Sequence, residues 1–312
     1  MALNSFMDLE LAVPDAAALE AFWIRRGLQA TSTGVLGTAE RPSQLRFREG
    51  NYRHVAEIRI GCDTPADLDA IAGRLDGIGV SYTRDDISVR CADPILDHDV
   101  VIEVGEAAKL APAPERQFNG PGDISRPNRR SSAIATEWNS APRRVGHVVF
   151  GTPDVAASAE FYRRGIGMKL SDAILGGAAQ FLRCSPDHHN ILLMPAPVPC
   201  MNHYAVEMND VDAIGRMGME VVGESAEASV FGLGRHVIGS NLFWYLLDPA
   251  GGMFELFSDI DQITDDALWE AEYLREDWDP TPAAWEPKAP NPDFFLPTDI
   301  DAIARGREAA GR

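Results

Sequence analysis

The chain has 312 residues, 45% of them hydrophobic, enough for two domains with a buried core each. Its formal net charge of -19 repels phosphate backbones and anionic bilayers, which argues against nucleic-acid or membrane partners and in favour of a small ligand. It shows no basic leader followed by an apolar stretch, and no apolar run of about 18 residues, so a cytoplasmic location is expected.

From Ser5, the stretch SFMDLELAVPDAAALEAFWIRRGLQA reads as an alternating apolar strand, a Pro-Asp turn, and an amphipathic helix that ends at glycine. Asp15 stands just ahead of the helix, where a short carboxylate accepts free backbone N–H groups and meets the positive end of the helix dipole. A second strand and helix begin at His54, in HVAEIRIGCDTPADLDAIAGRL. Residues 107–142 are rich in Pro, Gly, Ser, Asn and Arg and lack periodicity, as in an ordered connector or a flexible linker.

The opening pattern returns at Arg144, in RVGHVVFGTPDVAASAEFYRRGIGM, with Asp154 in the place of Asp15. Another strand and helix begin at His203, in HYAVEMNDVDAIGRM, and short β runs such as AAQFLRC, NILLMP and LFWYLLDPAGG fill the remainder. The chain is therefore expected to hold four strand-helix-strand units in two homologous halves, 1–106 and 143–260, with an extension over 261–312. The four cysteines, Cys62, Cys91, Cys184 and Cys200, follow no metal-knuckle spacing and read as reduced packing residues.

Five of the seven histidines, His147, His188, His189, His203 and His236, fall in the second half. His147 lies in GHVVF and His203 in NHYAVEM, each in the opening strand of a unit, and Glu255 lies in MFELF, the closing strand. A carboxylate inside such an apolar run costs several kcal/mol of desolvation unless it is compensated, and a divalent cation is the strongest compensating partner. Two imidazoles and one carboxylate make the facial set that binds iron(II) and leaves positions open.

Together these motifs resemble the type I extradiol dioxygenases of the vicinal oxygen chelate superfamily. The first ligand strand (GHVVF), the second (NHYAVEM) and the closing DPxGxxxE stretch ending in Glu255 match in order, as do the paired histidines of SPDHHN and the His-to-Tyr spacing of GRHVIGSNLFWY. The match covers roughly 144–259, with the first half matching only in its repeat pattern. The resemblance implies an α+β fold of two homologous domains, each built from paired βαβββ modules. It also implies a catechol substrate opened beside its hydroxyls by dioxygen, with iron(II), or alternatively manganese(II), held by His147, His203 and Glu255. His189 is then the acid-base residue, and His236 and Tyr245 act on the substrate oxygens. Homo-oligomers, dimers or tetramers, are expected from the same resemblance.

Other readings stay beside these. An oxo-acid-dependent dioxygenase would use the same ligands without needing His189, His236 and Tyr245. A glyoxalase-type isomerase usually has a fourth ligand, which NILLMP does not offer, and a non-enzymatic binding protein of the fold would need none. Phe181 is either an apolar wall for the substrate ring or a core residue. His188 should face outward or brace its loop, Asp187 and Arg183 should be surface charges, and Arg235 either steers an anionic substrate or forms a structural ion pair. In the first half, Asp8 stands where His147 does, with His54 and Glu103 as counterparts of His203 and Glu255. That half is expected to be a scaffold without metal, and His98 to be solvated. The aromatic-rich stretch from Trp269 to Phe295 packs down as a tail, either capping the site or tied against the other half or another subunit, and the final helix should fray.

Overall fold

The computed structural model describes residues 3–113, 117–134, 141–281, 283–285 and 294–312. Four βαβββ modules account for most of it. The first comprises β1 (Leu3–Val13), α1 (Ala16–Arg25), β2 (Gln29–Ser32), β3 (Val35–Gly37) and β4 (Leu45–Glu49). The second comprises β5 (His54–Cys62), α2 (Pro65–Gly77), β6 (Tyr82–Arg84), β7 (Ser88–Ala92) and β8 (Asp99–Val104). A short hairpin, β9 (Asn119–Gly120) and β10 (Asp123–Ile124), lies in the connecting segment. The third module runs through β11 (Arg144–Thr152), α3 (Val155–Glu160), β12 (Lys169–Ile174), β13 (Ala179–Arg183) and β14 (Ile191–Pro195). The fourth runs through β15 (Cys200–Glu207), α4 (Val211–Glu224), β16 (Ser229–Arg235), β17 (Leu242–Leu247) and β18 (Met253–Ser258). Beyond them lie α5 (Asp266–Glu272) and α6 (Ile300–Ala309). None of the described helices is long and apolar enough to cross a membrane.

The helix starts follow their capping chemistry. Asp15 accepts from Ala18 N at 2.8 Å and Asp154 from Ala157 N at 2.9 Å, while Thr64 and Asp67 form a reciprocal capping box at α2. Gly27 just beyond α1, and Gly167 after the π-helical turn Phe161–Ile166 that continues α3, adopt φ of +94° and +97°, conformations that only glycine takes without strain.

Each pair of modules closes into one eight-stranded sheet, joined through its first strands: β1 pairs antiparallel with β5, and β11 with β15. This is the expected α+β architecture of two homologous halves. Side chains alternate across each strand. Val148, Phe150, Tyr204, Val206, Phe254 and Leu256 of the second sheet point into the main core, while His147, Val149, His203 and Glu255 occupy the other face.

The halves meet across a buried seam. Trp23 is fully buried, donates from Nε1 to Tyr204 Oη at 2.9 Å, and makes edge contacts with Phe22 and Phe254. His98, expected in solvent, belongs to this seam: it is 4% exposed, stacks on Phe150 at 4.8 Å and bonds Tyr162 Oη at 3.0 Å. Asp93 accepts from the backbone of Ile95 and Leu96 and folds the loop inward, so the charges flanking His98 do not keep it wet. The last helix does not fray either, because Ile303 is buried beside Tyr52 and Cys200, and Arg53 holds Asp299 at 2.7 Å.

Strand pairing corrects the correspondence between halves. His147 pairs with Ala205 and Val149 with His203, as Asp8 pairs with Arg59 and Glu10 with Glu57. Glu57, not His54, therefore occupies the row of His203, and Val101, which pairs with Arg59, occupies the row of Glu255. Arg46 of β4 reaches into this space, with Nε 2.5 Å from Asp8 Oδ1 and Nη2 2.5 Å from Glu57 Oε1. Guanidiniums of Arg46, Arg59 and Arg90 thus pair the carboxylates of the first sheet, and the only cluster of metal-binding type among the described residues lies in the second.

Removing the aromatic keystone of the seam should be costly. Trp23→Ala is expected to lower unfolding free energy by about 3–5 kcal/mol in urea denaturation. A loss below about 1 kcal/mol would show that the seam does not depend on this side chain.

Candidate active site

Register on adjacent strands builds the site. Ala205 of β15 pairs with His147 on one side and Glu255 on the other, and Tyr245 of β17 pairs with Glu255. The inward residues of β11, β15, β18 and β17 therefore converge. His147 Nε2 lies 2.9 Å and His203 Nε2 3.3 Å from Glu255 Oε2, and the ligand-type atoms of all three residues fall within 4.8 Å of one another. All three are at most 4% exposed.

The surroundings orient this group. Asn202 Oδ1 lies 2.7 Å from His203 Nδ1, which assigns the Nδ1 proton to that bond and leaves Nε2 as the free donor atom. His203 Nε2 itself makes no hydrogen bond, an orphaned buried atom facing a carboxylate. Asn241 Nδ2 donates to Glu255 Oε1 at 2.8 Å. Burial alone would raise the Glu255 carboxyl, but the surrounding imidazoles of His147, His203 and His236 hold it well below its ordinary range. Burial lowers His203 to about 4, against the pull of Glu255. A carboxylate beside two imidazoles is the donor set of a divalent cation, so the residues fit a metal of the iron or manganese type.

The remaining histidines and the tyrosine surround the same cavity. His236 Nε2 and Tyr245 Oη are 2.7 Å apart, and burial, with the Glu255 charge nearby, raises the Tyr245 phenol well above its usual value. His189 packs against His147 with ring centres 4.4 Å apart, and burial holds it well below the ordinary histidine value. Phe181 lines the cavity at 5.2 Å from the His189 ring, and Leu192 and Met194, from the stretch without a ligand, line it as well.

Several polar residues differ from expectation. His188 is fully buried, bonding Asp172 and His189, and does not face outward. Arg183 and Asp187 are 0% and 3% exposed, since Asp266 of α5 and Arg144 of β11 respectively supply their counter-charges. Arg235 pairs with Asp259 at 2.9 Å and does not line the cavity. In the tail, Trp269 donates to Ser171 O at 2.8 Å and Phe294 packs on Tyr245 at 4.8 Å, whereas Tyr273 and Trp285 remain exposed. Pro280, Thr281, Phe294 and Phe295 of the tail complete the cavity wall, and Asn202 Nδ2 donates to the Phe294 and Phe295 carbonyls at 3.0 and 3.2 Å.

Residues 144–256 match the family model described as the Glyoxalase/Bleomycin resistance protein/Dioxygenase superfamily. The chain is 29% identical to metapyrocatechase 2 of Cupriavidus necator over 311 residues, covering 95% of this chain and 92% of that protein. It is 30% identical over 240 residues to the iron-dependent extradiol dioxygenase of Rhodococcus jostii (strain RHA1), covering 72% and 77%. Its fold matches the crystal structure of homoprotocatechuate 2,3-dioxygenase from Arthrobacter globiformis with a TM-score of 0.73 at 20% identity, over 94% of this chain and 91% of that one. With the duplicated βαβββ sheets and the second-half motifs, these likenesses establish that the chain belongs to the extradiol dioxygenases, metal-dependent oxidoreductases that open catechol rings with dioxygen.

Proposed function

We propose that this enzyme opens a catechol carrying an apolar substituent, using iron(II) held by His147, His203 and Glu255. The observation that carries this reading is the buried carboxylate between two imidazoles at one end of an otherwise apolar cavity. Val149, Ile174, Phe181, Leu192, Met194 and Ile238 form much of the wall, and no Lys or Arg lines it among the described residues. A carboxylate on the substrate would be desolvated there without a partner. Manganese(II) satisfies the same donors, and the name of the R. jostii relative favours iron.

The bound ion would chelate both catechol oxygens, lower their pKa, and couple the ring electronically to dioxygen. The protein's own groups supply the remainder. His236 and Tyr245 hydrogen-bond the substrate oxygens, and Tyr245, which keeps its proton at neutral pH, donates as negative charge develops. His189, neutral when the site is empty of substrate, would take a proton from a catechol hydroxyl and return it to an oxygen of the opening ring. Phe181 and the aliphatic wall hold the ring plane, while Phe294 and Phe295 exclude water.

Iron-loaded protein mixed anaerobically with a panel of catechols and then exposed to oxygen should give yellow ring-opened product. Catechols with alkyl or aryl substituents should exceed carboxylated ones in kcat/KM by about 100-fold, the equivalent of roughly 3 kcal/mol for an unpaired buried charge. Absence of product from every catechol would reject the reading. His189→Ala should still bind catechol anaerobically yet lose about 10²–10⁴ in turnover; wild-type turnover would remove His189 from the mechanism. Asn202→Ala should weaken iron binding about 10–100-fold in metal titrations, because the His203 ring loses its orienting partner. Unchanged affinity would reject that role.

A further inference from the structure

Behind His189 runs a buried chain of polar groups that the ring-opening reading does not use. His188 Nδ1 lies 3.1 Å from His189 Nδ1, and His188 Nε2 lies 2.8 Å from Asp172 Oδ2. The other oxygen of Asp172 accepts from the Arg275 backbone N–H at 2.7 Å. His188, His189 and Asp172 are 0%, 5% and 3% exposed, so water does not complete these bonds. Trp269 of the tail packs edge-on against His188 at 5.7 Å and closes the chain from outside.

Proton positions follow from the acceptors. Both Asp172 oxygens act as acceptors, which requires the proton on His188 Nε2. With its single proton on Nε2, facing Asp172, a neutral His188 imidazole leaves Nδ1 bare toward His189. Two ring nitrogens facing each other share one proton, and it must then sit on His189 Nδ1. His189 Nε2 is left as the basic atom of the ring.

We infer that Asp172, acting through His188, fixes the tautomer of His189 and so keeps its Nε2 ready to accept a substrate proton. Asp172 and His188 are positioning residues, and the inference rests on the proposed acid-base role of His189. The fixed backbone donor of Arg275 makes the arrangement directional. An asparagine at 172 must turn its oxygen toward Arg275 N and its amide NH2 toward His188. His188 Nε2 would then become an acceptor, Nδ1 would carry the proton, and His189 would be forced to hold its proton on Nε2, where it can no longer act as a base.

The test uses iron-loaded enzyme and an apolar catechol that the wild type turns over. Asp172→Asn should lower kcat by about 100-fold or more while KM and iron content stay within a few-fold, the signature of a lost proton acceptor. His188→Asn places an amide oxygen where Nδ1 stood, accepting from His189 whatever residue occupies 172, whereas His188→Leu offers no acceptor. His188→Asn should therefore exceed His188→Leu in kcat by at least about tenfold, and adding it to Asp172→Asn should recover at least about tenfold. Wild-type kcat in Asp172→Asn, no recovery in the double variant, or equal kcat in the two His188 variants would each overturn the inference. If Asp172→Asn fails to fold, the two His188 variants still decide. A wild type that opens no catechol rejects the functional reading, whereas a His189→Ala defect beside an unaffected Asp172→Asn rejects only the tautomer assignment.

Discussion

A carboxylate kept 1% exposed among imidazoles is the constraint around which the second sheet is organised. Burying Glu255 costs several kcal/mol unless positive or donating groups surround it. The sheet provides them from strands on both sides: His147 and His203 on neighbouring strands, Asn241 from the loop before β17, and Tyr245 across the β17–β18 pair. Even a glycine serves this arrangement. A Cβ at Gly146 would stand 2.3 Å from the Phe257 ring, which itself packs on His147 at 5.0 Å. The strand beside the first histidine must stay bare for that ring to fit.

The tail belongs to the same arrangement. Arg183 has no exposed surface, and Asp266 of α5 gives its guanidinium a counter-charge at 2.6 Å. Asp172 finds a donor at Arg275, Asn202 finds acceptors at Phe294 and Phe295, and His236 forms a backbone bridge with Ala283. These contacts supply additional partners to polar groups of the second sheet. The tail therefore closes the cavity from outside and fixes the hydrogen-bonded groups beneath it.

Much of this was legible in sequence because the informative residues contradict their surroundings. A glutamate inside MFELF and histidines inside GHVVF and NHYAVEM stand out against apolar strands, and the repeat revealed four modules. The misread residues are those whose partners lie far along the chain. Asp172 sits in an unremarkable strand, 16 positions from His188 and 103 from Arg275. Arg183 and Asp187 look like ordinary surface charges until Asp266 and Arg144 arrive from other elements. The acidic neighbours of His98 suggest solvent, whereas its environment comes from the other half of the molecule. In the first half, the repeat offers His54 and Glu103 as counterparts of His203 and Glu255, while strand register selects Glu57 and Val101.

That register brings out a contrast between duplicated halves. Arg46 pairs with Glu10 as Leu192 pairs with Val149, so one strand position carries a guanidinium in the first sheet and a cavity-lining leucine in the second. The first sheet thus contains a tethered counter-ion that cannot dissociate, exchange for another element or change oxidation state. Its geometry is indifferent to which metals are at hand. The duplicated halves thus differ in what faces their carboxylates: a side-chain cation in one copy, and the imidazoles of His147 and His203 in the other.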